Sequence, residues 1–319
     1  MLESPEIDIC GGPYIYPARR FINEVNGIAG SYPLHGKLWE SEEDLRTSRS
    51  GPAEKPYGAH EDPLESVDLL KRDYMLNLSR RSAMYFYDFA HDWYSDPEFV
   101  KTVKRLLAID AAFFASAPKS IPEVGAIFDE TAIPRLTNQS QSELRTRRIK
   151  WRWDISRWAT ATSFYYKADV ARLDPKKTPI LVFAEEMPSP AEQTKLKARG
   201  FKKILPLKLE AKEMRTPLFA ARPLVHVWGS GQSGLADTFV APPLLGLFTR
   251  EGGKRKVWLP KKTELVVDLF SGETWRDVKE FSYPVKRKPD ARIFFCGTRE
   301  EYRKFKTAMD AAAKERAGK

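Results

Sequence analysis

The spacing of apolar positions changes several times along this chain, and each change marks an element. EIDICGGPYIY at 6–16 alternates apolar and polar positions as a strand does, then stops at Gly-Gly-Pro. Residues 21–33 read as loop, LHGKLW at 34–39 as a second short strand, and the Gly- and Pro-rich stretch 49–63 as an irregular excursion. The period then lengthens. Val67, Leu70, Tyr74 and Leu78 share one helical face, widened by Leu69 and Leu76. SAMYFYDF at 82–89 is too short for an amphipathic helix and reads as a buried strand. In DPEFVKTVKRLL, Asp96 is placed to cap a helix and Pro97 suits its first position. Residues 34–116 thus run strand, loop, helix, strand, helix, the rhythm of an α/β barrel or an open α/β sheet.

A boundary falls near APKSIP at 117–122. EVGAIFDE beyond it is a central parallel-strand candidate with carboxylates at its C-terminal end. The Arg- and Trp-rich run 142–166 reads as helical, TPILVFAEE at 178–186 as a buried strand, and SPAEQTKLKARG as a capped helix closed by Gly200. KKILPL supplies a third strand. VWGSGQSG at 227–234 reads as a flexible loop, lacking the lysine spacing of a phosphate loop. After it APPLLGLFTR, KRKVWLP, ELVVDLF, EFSYPV and ARIFFCG are short runs parted by turn residues, SGET at 271–274 among them. They spell a small antiparallel module, followed by a polar terminal helix with a fraying end.

Composition sets limits on function. With 319 residues, 42% of them hydrophobic, the chain can bury more than one core. No apolar run approaches the roughly 18 residues of a membrane span, and MLESPEIDIC shows no secretory leader. The expectation is a soluble chain whose compartment stays open. Cys10 and Cys296 lie at opposite ends and form neither a disulfide framework nor a zinc spacing. His35, His60, His91 and His226 are scattered, and no dinucleotide, phosphate-loop or zinc-protease motif occurs, so neither cofactor nor metal is expected. The net charge of +10 raises nucleic acid as a partner, through RTRRIKWR at 145–152, KRKVWLPKK at 254–262 and KRK at 286–288. No nucleic-acid-binding motif accompanies them. Lysines around VWL read instead as guards of an exposed edge strand.

The remaining chemical signal is KLWESEEDLRTS at 37–48, where carboxylates crowd the end of a strand-like piece. Glycosyl transfer to water generally uses two carboxyl groups, a protonated acid and a nucleophile or base, and a barrel displays such groups at C-terminal strand ends. Glu42 and Asp44, two apart, share a side of an extended chain, and Arg46 can hold one ionised. Glu40 and Glu43 stand close by. Asp88 ends the SAMYFYD run, and Trp39, Tyr85, Tyr87, Trp93 and Tyr94 supply ring faces that could stack on sugar. The plainer alternative is a solvated acidic turn beside core aromatics.

In order, SPEIDICGGPYIY, HGKLWESEEDLRTS and DPLESVDLLKRDYMLNLSRRSAMYFYDFAHDWYSDPEF resemble the closing part of the catalytic barrel in β-galactosidase-like glycoside hydrolases related to family 42. EVGAIFDE and ILVFAEEMPSPAEQ are similar to that family's second domain, and VHVWGSGQSGLADTF onward to its terminal segments. The resemblance implies a partial (β/α)8 barrel over 1–117, a glutamine-amidotransferase-like α/β domain without amidotransferase chemistry over 118–240, and a small antiparallel β-sandwich with a terminal helix over 241–319. It implies Glu42 as the nucleophile, with Trp39, Asp44, Arg46, Asp88 and Trp93 around a carbohydrate substrate, and oligomerisation through the middle domain. A complete barrel takes about 250 residues, so the acid/base half is expected on a complementary barrel-containing chain or upstream sequence. Asp129, Glu130, Glu185 and Glu186 belong to the second unit and are poor substitutes. A non-catalytic carbohydrate-binding or assembly protein and a basic nucleic-acid-binding protein are the alternative classes.

Overall fold

Three β-sheets, two parallel and one antiparallel, carry the fold in this computed structural model. It describes residues 2–14, 24–59, 62–88, 92–118, 120–131, 151, 154–208, 211–221, 224–226, 228–231, 236–286 and 289–317. The first sheet holds β1 (Ile9–Pro13), β2 (Leu38–Glu43) and β3 (Ala83–Phe86), parallel and in that order. The expected strand at 34–39 therefore begins later. Ser31–Leu34 close a helical turn, α1, whose carbonyls accept from the His35 and Gly36 amides. Gly36, at φ +70°, then turns the chain into β2.

Two long helices follow the pattern closely. α2 spans Pro63–Arg80, with the Asp62 carboxylate accepting from the Leu64 amide at 2.9 Å. α3 spans Pro97–Ala115, and Asp96 accepts from the Glu98 and Phe99 amides. The surroundings of β3 differ from expectation. None of its four residues is buried, because it is an outer strand of a sheet covered by helices on one face.

The second sheet contains β4 (Val124–Phe128), β5 (Thr162–Tyr166), β6 (Ile180–Phe183) and β7 (Lys203–Pro206), all parallel, ordered β5-β4-β6-β7. β5 is the end of the Arg- and Trp-rich run, so TSFYY is a strand where helix was expected. Its β-branched and aromatic residues pair with every position of β4. The earlier part of that run, through Lys150, lies outside the described residues. α4 (Pro190–Ala198) opens with a reciprocal capping box between Ser189 and Glu192, and Gly200 follows it at φ +109°. α5 spans Ala211–Ala220.

The third sheet comprises β8 (Gly229–Gly231), β9 (Asp237–Ala241), β10 (Leu244–Thr249), β11 (Gly253–Asp268), β12 (Thr274–Val285) and β13 (Asp290–Gly297), with α6 (Arg299–Ala317) after it. KRKVWLP and ELVVDLF are one 16-residue strand, not two. The strands form one antiparallel sheet instead of the expected pair of stacked sheets: β11 has β12 along one side, and on the other β8 in its first half and β13 in its second. β11 is thus interior, and guarding an exposed edge does not account for its lysines. The first glycines of the expected 227–234 loop are β8; residues 232–235 lie outside the described residues.

α2 is the hub of packing. The largest apolar core joins Cys10, Tyr14 and Trp39 of the first unit to Leu69, Met75 and Ile109 of the helices and to Phe248, Ile293 and Phe295 of the antiparallel sheet. At Gly246 a β-carbon would stand 2.7 Å from the Met75 side chain, so that strand lies directly on the helix. Phe305 and Met309 bury one side of α6 in the same core, giving the terminal helix a docked face. A buried ion pair ties the end of α2 to the second sheet. Arg80, ending α2, donates to both Glu24 carboxylate oxygens at 2.9 and 2.6 Å and to the Thr162 carbonyl of β5 at 2.9 Å. Among the described residues no helix is long and apolar enough to cross a membrane.

Candidate functional site

β2 presents two chemically different faces. Its burial alternates at each residue, with Trp39, Ser41 and Glu43 buried and Leu38, Glu40 and Glu42 partly exposed. Parallel pairing sets Pro13 of β1 and Tyr85 of β3 on either side of Glu42. On this open face the Tyr85 hydroxyl donates to Glu42 Oε2 at 2.8 Å. That bond, with burial second and the nearby Glu42 and Glu40 charges after it, pushes the Tyr85 phenol up to about 12. Glu42 lies one residue from the C-terminal end of its strand, and Glu40 stands on the same side two residues back.

The opposite face packs on the helices. Trp39 points there, its ring 5.3 Å from that of Tyr32 and its Nε1 donating to Ser41 at 3.2 Å. It therefore does not share a face with Glu42. The period of two along the strand fixes this, whatever the residue types. Glu43 is buried near Tyr14 and Arg72; Tyr14 is raised well above an ordinary phenol by burial first and then by the Glu43 and Asp73 charges. Arg72 itself forks onto Asp73 at 2.8 and 2.9 Å.

Past the strand end the expected pocket residues gather around each other more than around Glu42. Arg46 donates from Nε to Glu54 at 2.7 Å and from Nη1 to the Asp44 carbonyl at 2.7 Å, and Asp44 Oδ2 lies 3.2 Å from Nη1. Its guanidinium sits 4.3 Å from the Trp93 ring centre. Trp93 is only 1% exposed, and its carbonyl accepts from the Thr47 hydroxyl. Asp88 is exposed and accepts from the Trp93 amide at 3.2 Å. Tyr94 closes the group, donating to the Glu43 and Tyr87 carbonyls at 2.8 and 3.0 Å. Burial, followed by Glu43, Asp44 and Asp88, raises its phenol far above the ordinary value, with Arg46 opposing. This cluster braces the β2 and β3 ends. Glu54, from the Gly- and Pro-rich excursion, is a partner that the sequence did not suggest, since nothing local links positions 46 and 54.

The carboxylates of the second sheet form a separate cluster. Glu185 accepts from the Asp129 amide at 2.9 Å, Lys167 bridges to Asp129 at 3.1 Å, and the Lys167 amide donates to Glu130 at 3.2 Å. Burial works against the Asp129 charge, yet hydrogen bonds from Thr131 and Lys167 hold its carboxyl below the ordinary range. Among the described residues no three His, Cys, Asp or Glu side chains gather into a metal-binding group. His35 instead pairs with Asp169 at 2.7 Å and His226 stacks on Trp228. His60 and His91 lie outside the described residues.

No protein-family model matches the chain, and no curated protein does. Among solved structures, a catalytic mutant of Gan42B, a GH42 beta-galactosidase from G. stearothermophilus, is similar at 12% identity with a TM-score of 0.45, over 72% of this chain and 51% of that one. A further structure of Gan42B gives 10% identity and a TM-score of 0.46 over 89% and 63%. An alpha-amylase from Anoxybacillus gives 10% identity and a TM-score of 0.19 over 83% and 53%. The similarity is distant. The chain spans between about half and under two thirds of the length of these enzymes.

Proposed function

We propose that this chain is the C-terminal portion of a β-galactosidase-like glycoside hydrolase, active on a β-linked sugar when the missing barrel strands are supplied by a complementary chain or upstream sequence. The reading rests on one observation above all: a carboxylate, Glu42, partly exposed and held by Tyr85 at the C-terminal end of a parallel strand, on the face of a three-stranded sheet that α2 and α3 leave open among the described residues. Glu42 is the nucleophile in this proposal. Tyr85 orients it and Glu40 adds charge below it, while Asp88, bonded to the Trp93 amide, belongs with the bracing residues at the strand ends. Asp44, Arg46 and Trp93 act as positioning residues that brace the strand ends. Trp39 packs the sheet onto its helices and leaves the substrate role to exposed aromatics such as Tyr85 and Tyr87.

Two carboxylates on one strand face cannot serve as acid and nucleophile on opposite sides of a sugar ring, so Glu40 does not replace the missing acid. In the completed enzyme a second carboxyl group stands about 5–5.5 Å from Glu42. The test is hydrolysis of a chromogenic β-galactoside by this chain alone and by the chain joined to its barrel complement. Turnover is expected only from the latter, and Glu42→Gln should lower it by roughly 10³-fold or more. Glu43→Gln, on the helix side, should leave far more activity. Hydrolysis by the chain alone, or an active Glu42→Gln enzyme, would overturn the assignment.

A second reading, a carbohydrate-binding or assembly protein that keeps the scaffold without turnover, is favoured by the interior position of Trp93 and by the engagement of Arg46 with Asp44 and Glu54 instead of Glu42. Sugar binding by the completed protein without hydrolysis would select it.

A further inference from the structure

A cavity of about 600 Å³ lies between α3, α6 and the antiparallel sheet; Glu42 is not part of its lining, and the cavity stands outside the hydrolase reading. It opens at a seam between two apolar cores. Leu244, Phe295 and Phe305 of its lining belong to the core under the helices, and Leu245 and Leu259 to the core inside the sheet. Trp228 forms part of the wall, with His226 stacked on it at 5.9 Å between ring centres.

The mouth carries positive charge, delivered by a break in the strand ladder. β11 and β12 pair regularly from Gly253 opposite Val285 to Trp258 opposite Glu280, and resume at Thr263 opposite Val278. Leu259, Pro260, Lys261 and Lys262 thus face the single residue Lys279 across the ladder. Such bulges re-aim side chains and recur beside binding sites. Here the bulge sets Lys261 and Lys262, both exposed, on the cavity lining. Lys261 is near enough to His226 to depress the imidazole further, after burial. Of the two acids on the lining, Glu264 lies 3.3 Å from Arg299, and Glu301 accepts from the Thr298 amide at 2.8 Å; Lys304 adds a third ammonium to Lys261 and Lys262.

We infer that this cleft binds an amphipathic anion: a small molecule with a flat or acyl apolar body and one carboxylate, sulfonate or phosphate group held by Lys261 and Lys262. The volume suits a ligand of ordinary metabolite or drug size. The apolar floor would leave sugar hydroxyls without hydrogen-bond partners, so the saccharide of the hydrolase reading is not its ligand. Ammonium groups at the mouth engage an anion as point charges, while the body displaces water from the seam.

The full chain is titrated with anilinonaphthalene sulfonate and, separately, with uncharged phenylnaphthylamine, following probe fluorescence. The sulfonate should saturate one site, more weakly as salt is raised. In a Lys261→Glu, Lys262→Glu double variant its affinity should fall by about tenfold or more, with the uncharged probe within about twofold. Phe114→Ser, on a highly exposed residue of a neighbouring apolar groove, should change neither. The proposal fails if the sulfonate shows no saturable binding, if the lysine variant leaves it unchanged or weakens both probes alike, or if binding follows Phe114→Ser. Preferential capture by anionic lipid vesicles, with no displacement of the sulfonate by free octanoate, would also overturn the small-molecule assignment.

Discussion

Every residue of β4 and β6 in the four-stranded sheet is buried, whereas β3 in the three-stranded sheet has no buried residue. Both sheets are parallel, and AMYF is scarcely less apolar than ILVF. The difference lies in what stands on the second face and in β3's place at the sheet edge, where even Phe86, in register with buried Glu43, is 41% exposed. Parallel sheets ordinarily occur with both faces covered. α2 and α3 cover one side of the first sheet, but Ile9 and Tyr85, 54% and 38% exposed, show that its other side meets solvent. Strand composition is therefore a poor guide to burial when the covering layer comes from elsewhere. An uncovered face with a carboxylate at its strand end is also what a split active site would leave in each half.

The joint between α2 and the four-stranded sheet should give the largest response. Arg80→Ala leaves the Glu24 carboxyl enclosed without its fork, at a cost of about 3–5 kcal/mol. Urea unfolding followed by circular dichroism reads this directly, and a loss below about 1 kcal/mol would mean that α2 and the four-stranded sheet are not coupled through Arg80. Next comes the contrast between the sheets. Phe164→Ala in β5 removes a fully buried ring and should cost about 3–4 kcal/mol, against under about 1 kcal/mol for Tyr85→Ala in β3. Equal losses would mean that the two sheets do not differ in how firmly their strands are held. Binding of a barrel complement should raise the Tyr85→Ala cost toward that of the buried site.

The smallest effect is a titration. Tyr85 should ionise at about 12, and Glu42→Gln should return it toward the ordinary tyrosine value, as followed by phenolate absorbance. A raised native pKa means that the folded chain keeps a proton that the unfolded chain has lost. The stability from this hydrogen bond is thus complete below the ordinary tyrosine pKa and disappears as pH rises through about 12. A Tyr85 titration indifferent to Glu42→Gln would break the pairing.

Elements decided by near neighbours were legible in the sequence. Asp62 was not read as a cap, but the α2 stripe, the Asp96 cap, the Ser189 box and the apolar runs of β4, β6 and β7 all depend on residues within a few positions of each other. What escaped depends on distant partners. β5 was hidden in an Arg- and Trp-rich run because its strand character comes from pairing with β4. The single long β11 was split at Pro-Lys-Lys because a bulge is visible only against β12. At the candidate site a short strand beside Glu42 was readable, but its end was expected at Trp39 and lies at Glu43, so Glu42 is within the strand. The direction of Trp39 required the strand phase, and the Arg46–Glu54 pair required the path of a Gly- and Pro-rich loop.

The central place of α2 also bears on the order in which the molecule can be made. Met75 of that helix packs on Gly246, and its core partners include Phe248, Ile293 and Phe295. At about 5–20 residues per second, a ribosome needs roughly 10–45 s between finishing α2 and finishing the strands that cover it. Throughout that interval the helix has a floor and no roof. The first unit therefore cannot mature as an independent N-terminal piece; its completion waits for the last third of the chain, and a nascent chain stalled before Asp237 displays the face that Gly246 would seal.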